Sequence, residues 1–272
     1  MKVGIQGEKY SWHYIAAKRL FSADCKVLFY KEFNEVFRAQ DAGAIDYGLV
    51  AIENSVYGSI NAVYQELSKG DYFICGEIKQ QINQCLLALP TTKLTEITDV
   101  YSHPVALNQC HQWLEKNLPH VDQHAYFDTA MSANKVAQSK RKLAAIGAKE
   151  LTEELNLTVL AENIDIDSNY TRFIAFSKSN KVSDKADKTS IILTTAHVEG
   201  AIYAALGCFA NANINLSKLE SHPIPGIPWE YQFYIDLDCR FDSKKFIQAA
   251  KCLLEQNVKT KVIGCYKADD MV

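Results

Sequence analysis

Apolar and polar residues follow two different periods along the chain, and its first two-thirds switches repeatedly between them. Short apolar runs such as Val3–Ile5 and Tyr47–Ile52 predict buried strands. Between such runs, apolar residues recur at spacings of three and four, as in Phe33, Val36 and Phe37, which predicts amphipathic helices. Strands that alternate with helices predict an α/β domain with a mostly parallel sheet.

The individual elements of this region can be placed approximately from the same periods. We predict strands at Lys2–Gln6, Val27–Tyr30, Tyr47–Ile52, Tyr72–Lys79, Gln81–Ala88, Asp99–Ser102, Leu143–Gly147 and Thr171–Ser177. We predict helices at Trp12–Phe21, Glu32–Gln40, Ile60–Leu67, Val105–Leu114, Thr129–Gln138 and Lys149–Leu155.

A polar stretch then divides the chain. Residues Ser177–Lys188 offer little to bury and predict a solvated linker, so we expect one domain at residues 1–178 and another at residues 188–272. The second domain has strand, helix, strand, strand, helix and strand patterns, the ferredoxin-like βαββαβ order. These predicted elements are Ser190–Thr194, Ala201–Ala210, Ile214–Ser221, Glu230–Asp236, Lys244–Glu255 and Val258–Tyr266.

Composition narrows the class of protein. With 48% hydrophobic and 22% charged residues, the chain has the composition of a soluble globular protein. A net charge of -3 gives no reason to expect nucleic acid or an anionic membrane as partner. The strand pattern that starts at Lys2 and the lack of any apolar run of about 18 residues lead us to expect a cytoplasmic protein.

The eight cysteines show neither Cys-x-x-Cys pairs nor zinc-ligand spacing. Most of them lie in apolar runs, so we expect free buried thiols in a reducing compartment.

Two segments beside predicted strands carry candidate chemistry, one of them at the carboxyl end of its strand, where open α/β sheets bind ligands. Glu53, Asn54 and Ser55 follow one buried strand, although an Asn-Ser pair in this place is more often a cap and turn. Thr171 and Arg172 place a hydroxyl beside a fixed cation, a combination that suits a small anion taking part in proton transfer.

Two further segments carry uncharged donors. We predict that Ser102 caps a helix and that Gln109, seven residues later, lies on the same helical face. Thr129 is expected to cap the next helix, and Ser11 to cap the helix that follows the turn at Gly7. Structural roles for all four remain the alternative.

Together these motifs resemble those of the prephenate dehydratase family over nearly the whole chain. The resemblance rests on Glu53-Asn54-Ser55, Ser102-His103-Pro104, Thr171-Arg172-Phe173 and Leu216–Pro223, in this order. It implies an α/β catalytic domain with two lobes around a cleft, like a periplasmic binding protein, followed by a ferredoxin-like ACT regulatory domain. It also implies the loss of CO₂ and water from prephenate to give phenylpyruvate in phenylalanine biosynthesis.

The resemblance assigns roles to the candidate residues. Thr171 would donate to the leaving hydroxyl, and Arg172 would anchor a carboxylate of the substrate. The expected substrate-binding residues are Ser11, Asn54, Ser55, Ser102, Gln109, Thr129 and Phe173. The reaction needs no cofactor and no metal, and the sequence offers no site for either.

The same family features predict feedback inhibition by phenylalanine and a homodimer or homotetramer. The expected effector-binding residues are Gly200, Ala201, Asn215, Leu216, Glu220 and Ser221. Glu199 and His222 stand where the family motifs have Pro and Arg, and Asp128 stands where they have Ser.

Two alternatives stay open. Arogenate dehydratase performs the same chemistry on an amino analogue of the substrate, and a non-catalytic amino-acid sensor would share the fold. Because no chorismate mutase segment precedes Lys2, we do not expect a bifunctional fusion.

Overall fold

The computed structural model describes residues 1–224 and 226–269, so residues 270–272 of the predicted second domain lie outside the description. The strands are β1 (Lys2–Gln6), β2 (Lys26–Tyr30), β3 (Tyr47–Asn54), β4 (Gly58–Ser59), β5 (Phe73–Gln81), β6 (Cys85–Ala88), β7 (Asp99–Ser102), β8 (Asp122–Ala125), β9 (Leu143–Gly147), β10 (Thr158–Ala161), β11 (Tyr170–Ser177), β12 (Lys188–Thr194), β13 (Leu216–Pro223), β14 (Tyr231–Leu237) and β15 (Lys259–Tyr266). The helices are α1 (Trp12–Leu20), α2 (Phe33–Asp41), α3 (Asn61–Lys69), α4 (Pro104–Gln109), α5 (His111–Asn117), α6 (Thr129–Ala137), α7 (Leu151–Leu155), α8 (Ala201–Asn211) and α9 (Lys244–Glu255).

Within the described residues the strands form two sheets. The smaller sheet has the order β10-β6-β9-β7-β8, and the larger one has the order β13-β14-β12-β15-β5-β11-β3-β1-β2, with β4 paired to β3. We call the part built on β1–β5 and β11 lobe A, the part built on β6–β10 lobe B, and the part built on β12–β15 the C-terminal unit. The chain leaves lobe A after β5, builds lobe B and returns through β11.

The sheets are mixed, so the expectation of a mostly parallel sheet is wrong. Strand β1 runs parallel to β2 and β3, but β11 lies antiparallel to both β3 and β5. In lobe B, β6 lies antiparallel to β9 and β10, whereas β7 runs parallel to β8 and β9. Strand β11 follows lobe B in the chain and lies between β3 and β5 in the large sheet.

Most predicted elements are present, with three informative differences. The helix predicted at Val105–Leu114 is divided at Cys110, whose φ of -97° and ψ of 1° separate α4 from α5. Strands β8 and β10 are absent from the prediction because β8 is polar and exposed and because β10 is a short strand at the edge of its sheet. Lys188, predicted to end a solvated linker, instead begins β12 and is 6% exposed.

The C-terminal unit has the predicted βαββαβ order, and its sheet continues that of lobe A through β15 and β5. A Cβ on Gly264 would lie 2.6 Å from Ile74 Cβ, so only glycine lets the two backbones approach this closely. Apolar side chains of both parts pack together beside this joint, among them Tyr64 and Phe176 from lobe A and Tyr234 from the C-terminal unit.

One cysteine pair contradicts the expectation of free thiols. Cys208 on α8 and Cys252 on α9 form a disulfide, with their Cα atoms 5.7 Å apart. The sequence could not show this, because the pairing depends on how two distant helices face each other. Among the described residues the free cysteines are Cys25, Cys75, Cys85, Cys110, Cys239 and Cys265. None of the helices in the described ranges is both long and apolar enough to cross a membrane.

Candidate active site

Asn54 and Thr171 meet at the end of two paired strands. In the register of β3 and β11, Asn54 lies opposite Thr171. The two hydrogens of Asn54 Nδ2 are shared among Thr171 Oγ1 and Tyr170 O, both at 3.0 Å, and Asn169 Oδ1 at 2.8 Å. Asn54 Oδ1 accepts from the backbone N–H groups of Val56 and Tyr57 at 2.9 and 3.0 Å. The turn after β3 therefore fixes the amide orientation. Because Thr171 accepts this bond, its hydroxyl hydrogen is left to be donated to another group.

Gln109 reaches the same cluster from lobe B. The side chain of Asn169, 1% exposed, accepts from Asn54 Nδ2 at 2.8 Å and from Gln109 Nε2 at 3.3 Å. Its own amide donates to Asp165 Oδ2 at 2.8 Å. The structure thus brings together Asn54, Gln109 and Thr171 of the predicted residues. Asn169, which joins them, is a residue that the sequence reasoning missed.

The starts of two helices also meet between the lobes. Ser11 caps α1, and its Oγ accepts from Tyr14 N at 3.3 Å. A Cβ on Gly7 would lie 3.2 Å from Ser11 Oγ and 3.7 Å from Asp128 Oδ2, so the end of β1 and the starts of α1 and α6 converge. The cap of α6 is Asp128, which accepts from Met131 N at 2.6 Å, and not the predicted Thr129. Both helix starts present the positive ends of their dipoles here.

Ser102 and Ser55 both make hydrogen bonds to the protein backbone. Ser102 is 0% exposed, ends β7 and donates to Ile146 O at 2.8 Å, and the cap of α4 is His103. The predicted capping role of Ser102 is therefore wrong, and its buried position gives no support to the predicted substrate-binding role. Ser55 Oγ donates to Ser168 O at 2.8 Å and accepts from Tyr170 N at 2.9 Å, which ties β3 to the start of β11.

Phe173 belongs to the core. It is 1% exposed and packs edge-on against the His13 ring at 4.9 Å, a position that gives no support to the predicted contact with substrate. His13 Nε2 accepts from Ala51 N at 3.1 Å, and burial lowers the pKa of His13 to about 3. A neutral histidine held in this way supports β3 and β11 and does not serve as a general acid.

Arg172 points away from Thr171, because neighbouring residues of a strand face opposite sides of the sheet. Its side chain is 7% exposed, and its nitrogens pair with Glu77 at 2.7 Å, Glu53 at 3.0 Å and Asp236 at 2.6 Å. Nη2 also donates to Tyr266 Oη at 3.1 Å. Each nitrogen of the guanidinium thus has a carboxylate partner within the protein, and this arrangement gives no support to the predicted anchoring of a substrate carboxylate.

The charges around Arg172 join lobe A to the C-terminal unit. Lys188 donates to Glu77 at 2.6 Å, and Lys218 pairs with the second oxygen of Glu53. Burial raises the pKa of Glu53, but Arg172 and Lys218 together outweigh burial and hold that pKa below its ordinary value. Glu53 is therefore an ionised structural partner and not an acid in the reaction. We call Glu53, Glu77, Arg172, Lys188, Lys218 and Asp236 the interface cluster.

The expected effector residues fall into two groups in the single chain. Gly200 and Ala201 line a cavity of about 160 Å³ together with His197, Glu230 and Tyr231. The remaining four lie outside the lining of that cavity. Asn215 Nδ2 donates to Asp238 at 2.6 Å, while Leu216, Glu220 and Ser221 lie on β13, at the edge of the large sheet.

We also searched the described residues for side chains that could bind a metal ion. Across residues 1–224 and 226–269, no group of at least three His, Cys, Asp or Glu side chains could hold a metal ion.

The comparisons with known proteins agree with the motifs. The model of the prephenate dehydratase family matches residues 3–181. The chain belongs to the prephenate dehydratase family. The bifunctional chorismate mutase/prephenate dehydratase of Enterobacter agglomerans is 35% identical, covering 100% of this chain and 72% of that protein. The arogenate dehydratase/prephenate dehydratase 1 of Arabidopsis thaliana is 32% identical, covering 99% of this chain and 72% of that protein.

A solved structure extends the similarity to three dimensions. The prephenate dehydratase from Arthrobacter aurescens, in complex with L-Phe, has a TM-score of 0.90 and 28% identity, and the match covers 100% of this chain and 92% of that one. The family predicted from the motifs is thereby confirmed. The similarity spans lobe A, lobe B and the C-terminal unit.

Proposed function

We propose that the chain catalyses the decarboxylative dehydration of prephenate to phenylpyruvate, the reaction of a carbon–oxygen lyase. The prephenate dianion takes up one proton and yields phenylpyruvate, CO₂ and water. The observation that carries the proposal is the Asn54–Thr171 contact, in which the threonine oxygen accepts from Asn54 at 3.0 Å. This contact directs the hydroxyl hydrogen of Thr171 outward, where it can assist the departing hydroxyl of the substrate.

The remaining binding groups in this proposal are uncharged. Gln109 is fixed through Asn169 and would orient the ring substituents. The start of α1, with Ser11, would attract a carboxylate through backbone N–H groups and the helix dipole, and Thr129 would offer its hydroxyl beside it, while the start of α6 is already capped by the Asp128 carboxylate. Arg172 has no part in binding, because its charge is already neutralised by protein carboxylates.

The direct test is formation of phenylpyruvate from prephenate by the purified chain, with arogenate as the competing substrate. Turnover of prephenate supports the proposal, and a marked preference for arogenate would favour arogenate dehydratase. Binding without turnover of either compound would favour a non-catalytic amino-acid sensor. Thr95→Ala, an exposed change in lobe B, serves as the control for Thr171→Ala in the same assay.

We further propose that the C-terminal unit is an ACT domain that binds phenylalanine as a feedback inhibitor. The cavity beside Gly200 and Ala201 would receive the amino acid. Asn215, Leu216, Glu220 and Ser221 would complete the site from a second copy of the chain, since β13 is an edge strand. His222 is 5% exposed and stacks on Tyr64 of lobe A at 4.6 Å, so it faces the catalytic part.

The regulatory proposal has its own tests. Calorimetry with phenylalanine measures binding, and activity with and without phenylalanine measures inhibition. Sedimentation of the full chain tests the homodimer or homotetramer. No heat of binding and no change in rate at millimolar phenylalanine would refute the regulatory role and leave the catalytic one standing. The cytoplasmic location stays a prediction.

A further inference from the structure

The strand pair β3–β11 carries two different groups of side chains on its two faces. Two adjacent residues of each strand are in register, with Thr171 opposite Asn54 and Arg172 opposite Glu53. The Thr171–Asn54 pair belongs to the candidate active site. The Arg172–Glu53 pair belongs to the interface cluster. A shift of either strand therefore moves one residue of each group together.

The interface cluster is divided between two parts of the chain with complementary charge. Within the described part of the chain, lobe A contributes Arg172, Glu53 and Glu77, which leaves it one negative charge in excess. The C-terminal unit contributes Lys188, Lys218 and Asp236, which leaves it one positive charge in excess. Buried charges of this kind hold a defined geometry, because any separation leaves one of them unpaired.

Lys218 makes the most direct contact from the C-terminal unit to the residue beside Asn54. Its side chain is 13% exposed and pairs with Glu53, with Ser59 Oγ 3.4 Å and the Tyr64 ring centroid 5.7 Å from its Nζ. Glu220 of the same strand is 3.8 Å from Lys218 Nζ. Lys218 thus links β13 to the end of β3.

We propose that Lys218 is a positioning residue for the dehydration, which acts through Glu53 to hold the Asn54–Thr171 contact. Lys218 itself does not reach the substrate. The inference rests on the proposed function, because it assigns Thr171 to the reaction. It also supplies a route for regulation, since Glu220 and Ser221, two of the expected effector residues, lie on the same strand as Lys218.

The test compares three full-length variants. Lys218→Met removes the charge and keeps most of the stem, and Lys218→Arg restores the charge. Lys261→Met is the matched control, because Lys261 also reaches lobe A from the C-terminal unit, but it contacts Gly70 O at 2.8 Å and Asp71 at 3.3 Å instead of Glu53.

We expect Lys218→Met to lower kcat about tenfold with KM within about twofold of wild type, since a small misplacement of catalytic groups slows turnover more than binding. Lys218→Arg should recover most of this loss, and Lys261→Met should stay within about twofold of wild type. Equal kcat values for the two Met variants, or no recovery in Lys218→Arg, would overturn the inference.

A second readout does not depend on turnover. The amides of Val56 and Tyr57 donate to Asn54 Oδ1, so their hydrogen exchange reports the position of Asn54. We expect both amides to exchange faster in Lys218→Met than in wild type, and to exchange at the wild-type rate in Lys261→Met. Wild-type exchange rates in both variants would overturn the inference. If the wild type turned over no prephenate, the proposed function would fail, and the exchange comparison would still decide whether Lys218 holds Asn54 in place through Glu53.

Discussion

The two faces of the β3–β11 pair differ in the kind of polar group that they carry. On the face toward lobe B, the uncharged side chain of Asn54 donates a hydrogen bond to the hydroxyl of Thr171. On the opposite face, Glu53 and Arg172 take part in a cluster of six charged side chains within the described residues. Uncharged donors can exchange partners with a substrate at small cost, whereas buried ions cannot give up theirs. The comparison teaches that adjacent residues of one motif serve separate purposes, one in the site and one in the interface.

Loss of Arg172 should have the largest effect, and the effect should be on stability. Arg172→Met removes one ion-pair partner from each of three carboxylates, those of Glu53, Glu77 and Asp236. This loss should reduce the free energy of unfolding by about 3–5 kcal/mol. Urea unfolding measures this. Arg240→Met is the control, because Arg240 pairs with Asp242 at the surface. An Arg172→Met variant with wild-type stability and a hundredfold lower kcat/KM for prephenate would instead support the anchoring role that the sequence predicted.

Loss of the Thr171 hydroxyl should leave the protein folded and slow the reaction. We expect Thr171→Ala to lower kcat about a hundredfold or more, because proton help to the leaving group acts mainly in the transition state. Thr171→Ser should keep part of the activity. Steady-state kinetics with prephenate decides the matter, and a rise in KM alone would make Thr171 a binding residue.

The contributions of the two faces to stability should be lost in different ranges of pH. His13 lies behind β3 and β11 on the Thr171 side, and its pKa falls from 6.5 to about 3 on burial. The folded state then binds fewer protons than the unfolded state, so stability is present above pH 6.5 and is lost as the pH falls below it. Glu53 has a lowered pKa, so its contribution is lost only as the pH falls below 4.5.

Between pH 6.5 and about 3, His13 should make the free energy of unfolding change with pH by at most about 1.4 kcal/mol per pH unit. His13→Gln keeps an acceptor for Ala51 N and should remove that part of the slope between pH 6.5 and 5 in urea unfolding. Burial also lowers the pKa values of His103 and His222, so part of the slope should remain in the variant. Identical slopes for wild type and His13→Gln would contradict the assignment.

Ser102→Ala should have the smallest effect. The change removes one hydrogen bond to Ile146 O and should cost about 1 kcal/mol of stability. Turnover should stay within about twofold of wild type, because Ser102 is buried inside lobe B. A large loss of activity without loss of stability would return Ser102 to the site.

Periodicity predicted most elements of the fold because each depends on a local pattern, as α2 does with Phe33, Val36 and Phe37. It could not predict the direction of β11, which depends on where the chain re-enters lobe A. It also missed the polar edge strand β8, since edge strands need few apolar residues.

The site was predicted in the same uneven way. Asn54, Thr171 and Gln109 were each singled out from the sequence, but their meeting was not predicted. Thr171 begins its strand, so a parallel sheet would have put it at the edge opposite Asn54, and only the antiparallel direction of β11 brings the two together. Sequence alone did not show that Arg172 faces the C-terminal unit. That direction follows from the alternation of side chains along β11 and from its pairing with Asp236, more than sixty residues away in the chain. The sequence signals that could have indicated the interface cluster are charged residues inside otherwise apolar strands, such as Asp236 between Ile235 and Leu237.

The most direct test of the two-faced strand pair is the dissociation constant of prephenate in slow variants. Thr171→Ala provides an enzyme slow enough for calorimetry with the substrate itself, and Thr171→Ala/Arg172→Met adds the loss of the charge. If Arg172 lies in the interface, the two dissociation constants should agree within about threefold, equal to less than about 0.7 kcal/mol. A hundredfold weaker complex of the folded double variant would show that Arg172 binds substrate and would contradict the account.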